Sequence, residues 1–386
     1  MKVQKWTLGL ATVGLVTLPS LVRAEEKASS VMTALSSTTL SGYVDTSMQW
    51  DLGTGNGHPP PFAYNAGKQD GFNVNVVKIT LEKPLDEGQW AAGYKIDLAL
   101  GPDGATPAGA GGSLGAGAAG TFPIKEAYVL VRAPVGGNGV DFKIGRFNSI
   151  IGYESFDSAS NPNYTRSYGY TIEPTEHTGV LATYQCNKYV SASAGIANTA
   201  TTLGLNARST RAESAKTYLA SVALTAPDDW GAIAGSTLYS GVIDGFGSAN
   251  EDQSNFYIGA TLNTPVKGLK VGASYDYVEH LGFGGATPRP TGRAYAAYAS
   301  FQATEKLSLH GRLEYGEGYT ALTVSRDIFA WTGTVQYDLW KNVLSRLELR
   351  WDHACDGSPA FGGTTPASAP TKKNNVMAVA NFVYKF

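Results

Sequence analysis

The sequence predicts an all-β protein: a transmembrane antiparallel up-and-down β-barrel of about 16 strands, with short periplasmic turns and long external loops. Three observations predict it. Apolar and polar residues alternate with period two over many separate segments. Short and long connections between those segments alternate along the chain. Charged residues make up only 16% of the chain, whereas 46 residues are glycine, which suits a sheet whose outer surface meets lipid.

The N-terminus has the parts of a secretory signal peptide. A basic start precedes the mostly apolar residues 6–22, and Ala24 ends a small-residue cleavage site. Interspersed threonines keep the apolar run below the roughly 18 residues that suggest a membrane-spanning helix. We therefore expect three segments, which are a signal peptide at 1–24, a short N-terminal periplasmic segment at 25–38 and the barrel at 39–386.

Strands are clearest where large apolar residues share one face. In "SRLELRWD", Leu347, Leu349 and Trp351 alternate with charged residues, a poor helix pattern and a good half-buried strand. The alternation changes parity near Val76, so a β-bulge is expected there. The predicted strands are 40–51, 72–82, 89–100, 123–133, 139–147, 177–185, 189–198, 216–226, 229–241, 254–263, 268–280, 293–303, 306–316, 328–338, 341–352 and 375–386.

The connections predict which end of each strand faces the cell exterior. Tight turns such as "KPLDEG" and "APVGGN" alternate with long segments rich in Gly, Pro, Asn and Ser. A bacterial barrel with an even strand number has both termini at the periplasmic end. The apolar alternation runs to Phe386, so the last strand is expected to pair with the first. The long loops are expected at 52–71, 101–122, 148–176, 199–215, 242–253, 281–292, 317–327 and 353–374.

Aromatic residues at the strand ends are typical of the two girdles of a membrane barrel. We expect Trp50, Phe72 and Trp351 near the external end. The aromatic residues expected near the periplasmic end are Tyr218, Trp230, Tyr337 and Trp340. Cys186 and Cys355 fall at opposite ends of this strand map, so both are expected to be free thiols.

Charged residues opposite the apolar rows are expected to line a water-filled lumen, because charge facing lipid costs about 2–4 kcal/mol per Arg or Lys near the midplane. Without the signal peptide the chain has 27 basic and 32 acidic residues. This small excess predicts weak selectivity, slightly toward cations, and no nucleic-acid partner. The predicted lining residues are Asp45, Lys95, Asp97, Asp141, Lys143, Arg312, Glu314, Arg346, Glu348, Arg350 and Asp352.

No motif indicates catalysis, a metal or a cofactor. "GGSLG" (111–115) and "GAGAAG" (115–120) match nucleophile-elbow and dinucleotide patterns, but neither lies at the strand-to-helix turn that each mechanism needs. The five histidines are scattered without the spacing of zinc ligands. We predict neither catalytic residues nor a cofactor.

The chain resembles the OmpL-like putative β-barrel porin-2 family over most of its mature length, most densely in the segment 140–180. The resemblance rests on "IGRFNSIIGYE", "NPNYTRS", "EPTEHTGV" and, upstream, "LEKPLDEGQWAAGYKIDLALGPD". Where that family often has Gly-Lys-Phe followed by Thr-Pro-Ile, this chain has Arg146 at the basic position and no proline. The resemblance implies an outer-membrane channel without fixing its solute.

In many diffusion porins the third external loop folds into the lumen, and a similar layout suggests that role for 148–176. The expected charges of this constriction are Arg146, Glu154, Asp157, Arg166 and Glu173. The alternative is an ordinary external loop with its charges satisfied locally. The expected function is passive diffusion of small polar solutes across the lipid of the bacterial outer membrane, through a barrel that forms homotrimers. The alternatives are a sugar-specific channel, an outer-membrane enzyme and a surface-binding barrel.

Overall fold

The computed structural model describes residues 37–53, 57–60, 68, 70–104, 124–200, 205–209, 211, 213–247, 252–279, 291–319, 326–365 and 368–386. The predicted signal peptide, most of the N-terminal segment, both Gly-rich motifs and His280 lie outside these residues. Among the described residues, no helix is long and apolar enough to cross a membrane.

Sixteen antiparallel strands form one closed barrel, in which each strand pairs with its sequence neighbours and β1 pairs with β16. The strands are β1 (Thr39–Asp51), β2 (Gly71–Lys83), β3 (Ala91–Leu100), β4 (Ile124–Ala133), β5 (Val140–Asn148), β6 (Glu176–Gln185), β7 (Val190–Ala197), β8 (Thr217–Thr225), β9 (Thr237–Phe246), β10 (Asp252–Asn263), β11 (Leu269–Glu279), β12 (Gly292–Gln302), β13 (Leu307–Tyr319), β14 (Arg326–Trp340), β15 (Val343–Ala354) and β16 (Asn374–Lys385). A short helix, α1 (Tyr168–Ile172), lies between β5 and β6, and 3₁₀ turns lie at Ser158–Ser160 and Gly231–Ile233.

The C-terminus closes the barrel as predicted. Phe386 and Gly42 exchange two backbone N–H···O bonds of 3.0 Å, and the alternating residues of β16 pair with β1 from Tyr43 to Asp51. Closure leaves no unpaired sheet edge, which is the condition for a sheet in lipid. The strand map is confirmed within a few residues in fifteen of sixteen cases.

The two faces of the sheet are inverted relative to a soluble protein. In β15, outward-facing Leu347 is 65% exposed, whereas inward-facing Arg346 and Arg350 are almost fully buried. Large exposed apolar side chains recur on nearly every strand. Such a continuous apolar exterior requires a lipid environment.

The predicted bulge is present. Asp45 of β1 lies opposite Val76, but the next residue, Thr46, lies opposite Val74, so Asn75 is the extra residue. Its side chain is buried and donates to Asp45 at 2.9 Å. The change of parity in the sequence therefore marks a place where an amide is turned inward.

The ninth strand is the main error of the sequence map. Residues 229–236 form a turn rather than the start of a strand, because Gly231 and Gly235 adopt φ of 60° and 74°. The apolar alternation of "WGAIAG" concealed these two left-handed positions. As a result β9 reaches Phe246, the connection to β10 is only 247–251, and the alternation of short and long connections fails at this hairpin.

The aromatic borders agree with the prediction except at Tyr218. That residue begins β8, directly after the long connection 198–216, and pairs with Ile196 at the end of β7. It therefore lies at the long-loop end, not at the turn end. Trp230, Tyr337 and Trp340 do lie at the turn end.

Cys186 and Cys355 are exposed and free, at opposite ends of the barrel.

Candidate functional site

The third long connection, residues 149–175 and called L3 here, packs against the inner wall of the barrel. Tyr164, Arg166 and Tyr168 are each 1% exposed, although they belong to a loop. Ser167 caps the N-terminus of α1, because its side chain accepts from the Tyr170 N–H at 3.1 Å. The helix contacts β11, β12 and β13. L3 is therefore a structural element of the interior.

An arginine of β13 and its neighbour Glu314 bind both halves of L3. Arg312 Nη1 lies 2.7 Å from Glu154 Oε1 and 2.7 Å from the Thr165 carbonyl oxygen. Arg312 Nε lies 2.9 Å from Glu314, which also accepts from the Tyr168 N–H at 2.8 Å. Both partners of the Arg312–Glu154 pair are fully buried, so the pair has to be held by hydrogen bonds to be tolerated.

Two arginines of β15 bind L3 through backbone carbonyls. Arg346 donates to the carbonyls of Ser158, Asn161 and Asn163 at 3.1–3.2 Å. Arg350 donates to the Arg166 carbonyl at 2.7 Å and pairs with Asp352 at 2.8 Å on its own strand. Arginine suits these positions because its planar fork can satisfy several acceptors at once.

Glu348 completes this contact by accepting from L3. Its carboxylate lies 2.5 Å from the Tyr164 N–H nitrogen, 2.9 Å from that of Thr165 and 2.6 Å from Thr165 Oγ1. Tyr168 Oη donates to Asp352 at 2.9 Å. Carboxylates that accept several N–H bonds are strongly held, and here they fix the course of L3.

On the β1–β2 side, Lys78 holds L3 by an ion pair. Its Nζ lies 2.7 Å from Asp157 and 2.8 Å from Asp97 of β3. Gln49 of β1 donates to Tyr164 Oη at 2.6 Å. Asp45 accepts from Asn381 at 2.6 Å and thus joins β1 to β16.

Apolar and aromatic contacts hold the start of L3 to the other side of the barrel. Ile150 and Ile151 are buried in a cluster with side chains of β4–β10. Tyr153 stacks on Tyr298 of β12 with ring centroids 4.0 Å apart, and Thr261 donates to its hydroxyl at 3.1 Å. L3 therefore contacts nearly the whole inner circumference.

The end of L3 brings two carboxyl groups together. Glu173 is buried against Asp276 of β11, to which it is hydrogen-bonded. Burial, the neighbouring Asp276 and, less strongly, Glu154 hold the pKa of Glu173 well above its usual range. One proton shared by the pair accounts for this contact.

A cavity remains between L3 and the wall formed by β4–β9. Its empty volume is about 980 Å³, part of it open to solvent. Lys125, Lys143 and several serines and threonines line the strand side, and Glu154, Tyr170 and Glu173 line the L3 side. The cavity extends from Ser149, the first residue of L3, to Gln185 at the turn end of β6.

The predicted lining residues do lie opposite the apolar rows, but most of them do not border open water. Eight are at most 4% exposed because they bind L3, one another or other residues of the strands. Bonds to L3 or to strand residues take the place of solvent at these eight residues, and their part in lining a conducting path stays a prediction. They are Asp45, Asp97, Arg312, Glu314, Arg346, Glu348, Arg350 and Asp352.

The other three predicted lining residues, Lys95, Asp141 and Lys143, are partly exposed. Lys95 pairs with Glu126 at 2.7 Å. Arg132 binds Asp141 through two bonds of 2.6 and 2.8 Å. Lys143 has its Nζ 5.0 Å from the ring centroid of Tyr128.

The five predicted constriction charges have different surroundings. Glu154, Asp157 and Glu173 bind strand residues, as described above. Arg166 instead donates to the carbonyls of Ser155, Tyr164 and Phe156 within L3 itself, at 2.6–2.9 Å, which is the local arrangement considered as the alternative. Arg146 belongs to β5, not to L3, and lies 3.2 Å from Glu176.

Sequence reasoning missed several charged residues of the interior. Lys78 and Glu126 lie on β2 and β4 near bulges, where the parity rule gives the wrong face or none. Lys125 pairs with Glu176 at the start of β6. Asp276, the fourth residue of "ASYDY", carries the parity of an inward residue and could have been found.

Ser149 and His177 form a contact that resembles part of a hydrolase site. Ser149 Oγ lies 3.3 Å from His177 Nε2, and His177 Nδ1 lies 3.2 Å from the Thr199 carbonyl oxygen. A carbonyl thus occupies the place that an orienting carboxylate has in a catalytic triad. Among the described residues, no cluster of three potential metal ligands is present.

A closed sixteen-stranded barrel with an apolar exterior and an inward third loop defines a protein of the bacterial porin class. The chain belongs to the family described as Putative beta-barrel porin-2, OmpL-like, whose model matches residues 37–386. The protein is therefore a porin-type protein of the bacterial outer membrane. No curated protein matches the chain.

Several solved porin structures share this fold. The anion-selective porin from Comamonas acidovorans has a TM-score of 0.58 and 13% identity, covering 91% of this chain and 99% of its own. The outer membrane channel DcaP of Acinetobacter baumannii has a TM-score of 0.55 and 12% identity, and the match covers 90% of this chain and 97% of that channel. The trimer form of OmpT from Vibrio cholerae has a TM-score of 0.54 and 12% identity, and the match covers 90% of this chain and 99% of OmpT. At these identities the likeness shows the fold.

Proposed function

We propose that the protein is a channel for passive diffusion of small hydrophilic solutes, weakly selective and without catalytic activity, in which L3 forms the constriction. The observation that carries this proposal is the off-centre cavity. L3 fills the side of the lumen next to β13–β16, where Arg312, Arg346 and Arg350 bind it. The β4–β9 side keeps about 980 Å³ of space. We assign the solute path to that side.

The walls of this path carry both signs of charge, which supports weak selectivity. Lys125 and Lys143 lie on the strand side, and Glu154 and Glu173 on the L3 side. Most predicted lining charges contribute to the channel indirectly, because they fix L3. Few tyrosines border the cavity, since Tyr153, Tyr164 and Tyr168 of L3 are occupied in contacts with the barrel wall. This disfavours a sugar channel that relies on aromatic stacking.

Single-channel recording of the refolded protein in a planar bilayer tests the proposal. We expect ohmic steps that grow in proportion to salt concentration, because water-filled pores conduct in that way. Silence from protein that is folded by gel heat-modification would mean that L3 closes the lumen. That result would favour the surface-binding alternative.

The absence of catalysis has its own test at Ser149 and His177. We expect purified protein and its Ser149→Ala variant to hydrolyse p-nitrophenyl acetate and butyrate equally, at the rate of buffer with detergent. Activity that is lost in Ser149→Ala would instead support the enzyme alternative.

We also propose that the protein is a homotrimer. Light scattering in detergent, with the detergent mass subtracted, would measure the mass of the assembly.

A further inference from the structure

We propose that Lys143 and the hydroxyl groups beside it form a binding subsite for small hydroxylated carboxylate anions on the β4–β9 wall. The inference rests on the proposed channel function and names the solute class of the same cavity. An anion subsite in the cavity would favour anions, whereas the net charge of the chain predicts a slight preference for cations. The proposal depends on which charged side chains of this wall have partners of opposite charge.

The carboxylates near Lys143 each have another cation. Asp141, two residues before it on β5, is bound bidentately by Arg132. Glu126 lies 2.7 Å from Lys95 and accepts from the Asn148 N–H at 3.0 Å. Glu126 and, less strongly, Glu82 act on Lys143 electrostatically, but neither forms an ion pair with it. Among the described residues, Lys143 therefore has a ring contact with Tyr128 and no carboxylate partner.

The other lysine of the cavity has a carboxylate partner, which it shares with Arg146. Lys125 pairs with Glu176, and its Nζ lies 4.3 Å from the ring centroid of Phe156. The carboxyl groups of the L3 side are also engaged, because Glu154 binds Arg312 and Glu173 is hydrogen-bonded to Asp276. Of the four charged residues that line the cavity in the described part of the chain, Lys143 is the one whose ammonium has no ion-pair partner.

Hydroxyl groups extend from Lys143 toward the turn end of the cavity. Thr183, Ser191, Ser193 and Ser221 lie on β6, β7 and β8 and all line the cavity. Thr183 and Ser193 are within 2.9 Å of each other and next to Asp141 in register. Ammonium beside a row of hydroxyls suits a carboxylate that carries hydroxyl groups of its own.

Reversal potentials across a KCl gradient test the charge of the subsite in the wild-type protein and in Lys143→Met. We expect the wild type to prefer chloride and Lys143→Met to lower the chloride-to-potassium permeability ratio about threefold, as expected for one charge at the narrow part of a pore. Lys267→Met removes an exposed lysine of the β10–β11 turn and should leave the ratio unchanged. A wild type that prefers potassium, or an unchanged ratio in Lys143→Met, would overturn the subsite while leaving the channel intact.

Block by sodium gluconate tests the ligand class. Gluconate should reduce the wild-type current saturably, with about threefold weaker apparent affinity in Lys143→Met, and glucose at equal concentration should block less. Equal block by glucose would mean that the charge plays no part. If the protein conducts no current, the proposed channel function fails, and calorimetric titration of gluconate into folded protein in detergent decides on the subsite separately. Heat released by the wild type but not by Lys143→Met would support it, and equal heats would overturn it.

Discussion

Arg312 Nη1 on strand β13 lies 2.7 Å from Glu154 Oε1 on L3, and both side chains are fully buried. The two residues are 158 positions apart in the sequence. Their contact joins a loop to a strand that is distant along the chain. Removing one partner of such a pair leaves an unpaired buried charge, which is more costly than never having the pair.

We therefore expect Arg312→Met to loosen L3 and destabilise the barrel by about 3–5 kcal/mol. The temperature at which the folded band converts on a gel should fall, and open-channel current noise should rise. Arg293→Met is the matched control, because Arg293 and Glu317 form an exposed pair at 3.5 Å that is worth only about 0–1 kcal/mol. Equal effects of the two variants would show that Arg312 does not hold L3.

A second prediction concerns the backbone of L3 at Gly152. Its φ is 117°, a region that other residues rarely adopt, and an added Cβ would meet the Glu173 carboxylate. Gly152→Ala should cost about 1–3 kcal/mol and lower the yield of folded barrel in refolding from urea. Gly311→Ala on β13 is the control, since nothing lies within 4 Å of the position of its Cβ. A Gly152→Ala yield equal to that of Gly311→Ala would contradict the strained conformation.

The outward face provides a third prediction. Leu349 lies in the middle of β15 and is 42% exposed, so in the membrane it contacts lipid. Leu349→Arg should cost about 2–4 kcal/mol, whereas Leu40→Arg, at the turn end of β1, should cost about 0–1 kcal/mol. Urea titrations in phospholipid vesicles measure both. Similar costs at the two depths would contradict the placement of this strand across the bilayer.

The sequence was sufficient for most of the barrel because strand pairing with lipid outside imposes a simple period of two. The alternation alone predicts that Leu347 points outward and Arg346 points inward, without any knowledge of the partner strands. The rule failed at 229–236, where Gly231 and Gly235 turn the chain within an alternating segment. It also failed to place Lys78 and Glu126 inward, because bulges shift the parity.

The interior of the barrel was harder to predict because it depends on contacts between distant segments. Nothing local in "NPNYTRS" shows that Asn163 meets Thr334, or that the Arg166 carbonyl meets Arg350. The sequence predicted correctly that Arg346 and Asp352 face inward. It could not predict that L3, rather than water, satisfies them.

The final prediction concerns pH and the carboxyl pair of L3. Burial and the adjacent carboxyls of Asp276 and Glu154 raise the pKa of Glu173 in the folded protein well above its usual value of about 4.3. The folded state therefore retains a proton that the unfolded chain loses, and stability should fall as pH rises from about 4.3 toward the raised pKa. Glu173→Gln keeps a neutral side chain at every pH and should flatten this decline, as measured by the rate of gel heat-modification between acidic and alkaline buffers. Glu213→Gln, in an exposed stretch between β7 and β8, should retain the wild-type slope. A Glu173→Gln profile as steep as the wild type would show that this carboxyl is ionised in the folded barrel and that no proton is shared with Asp276.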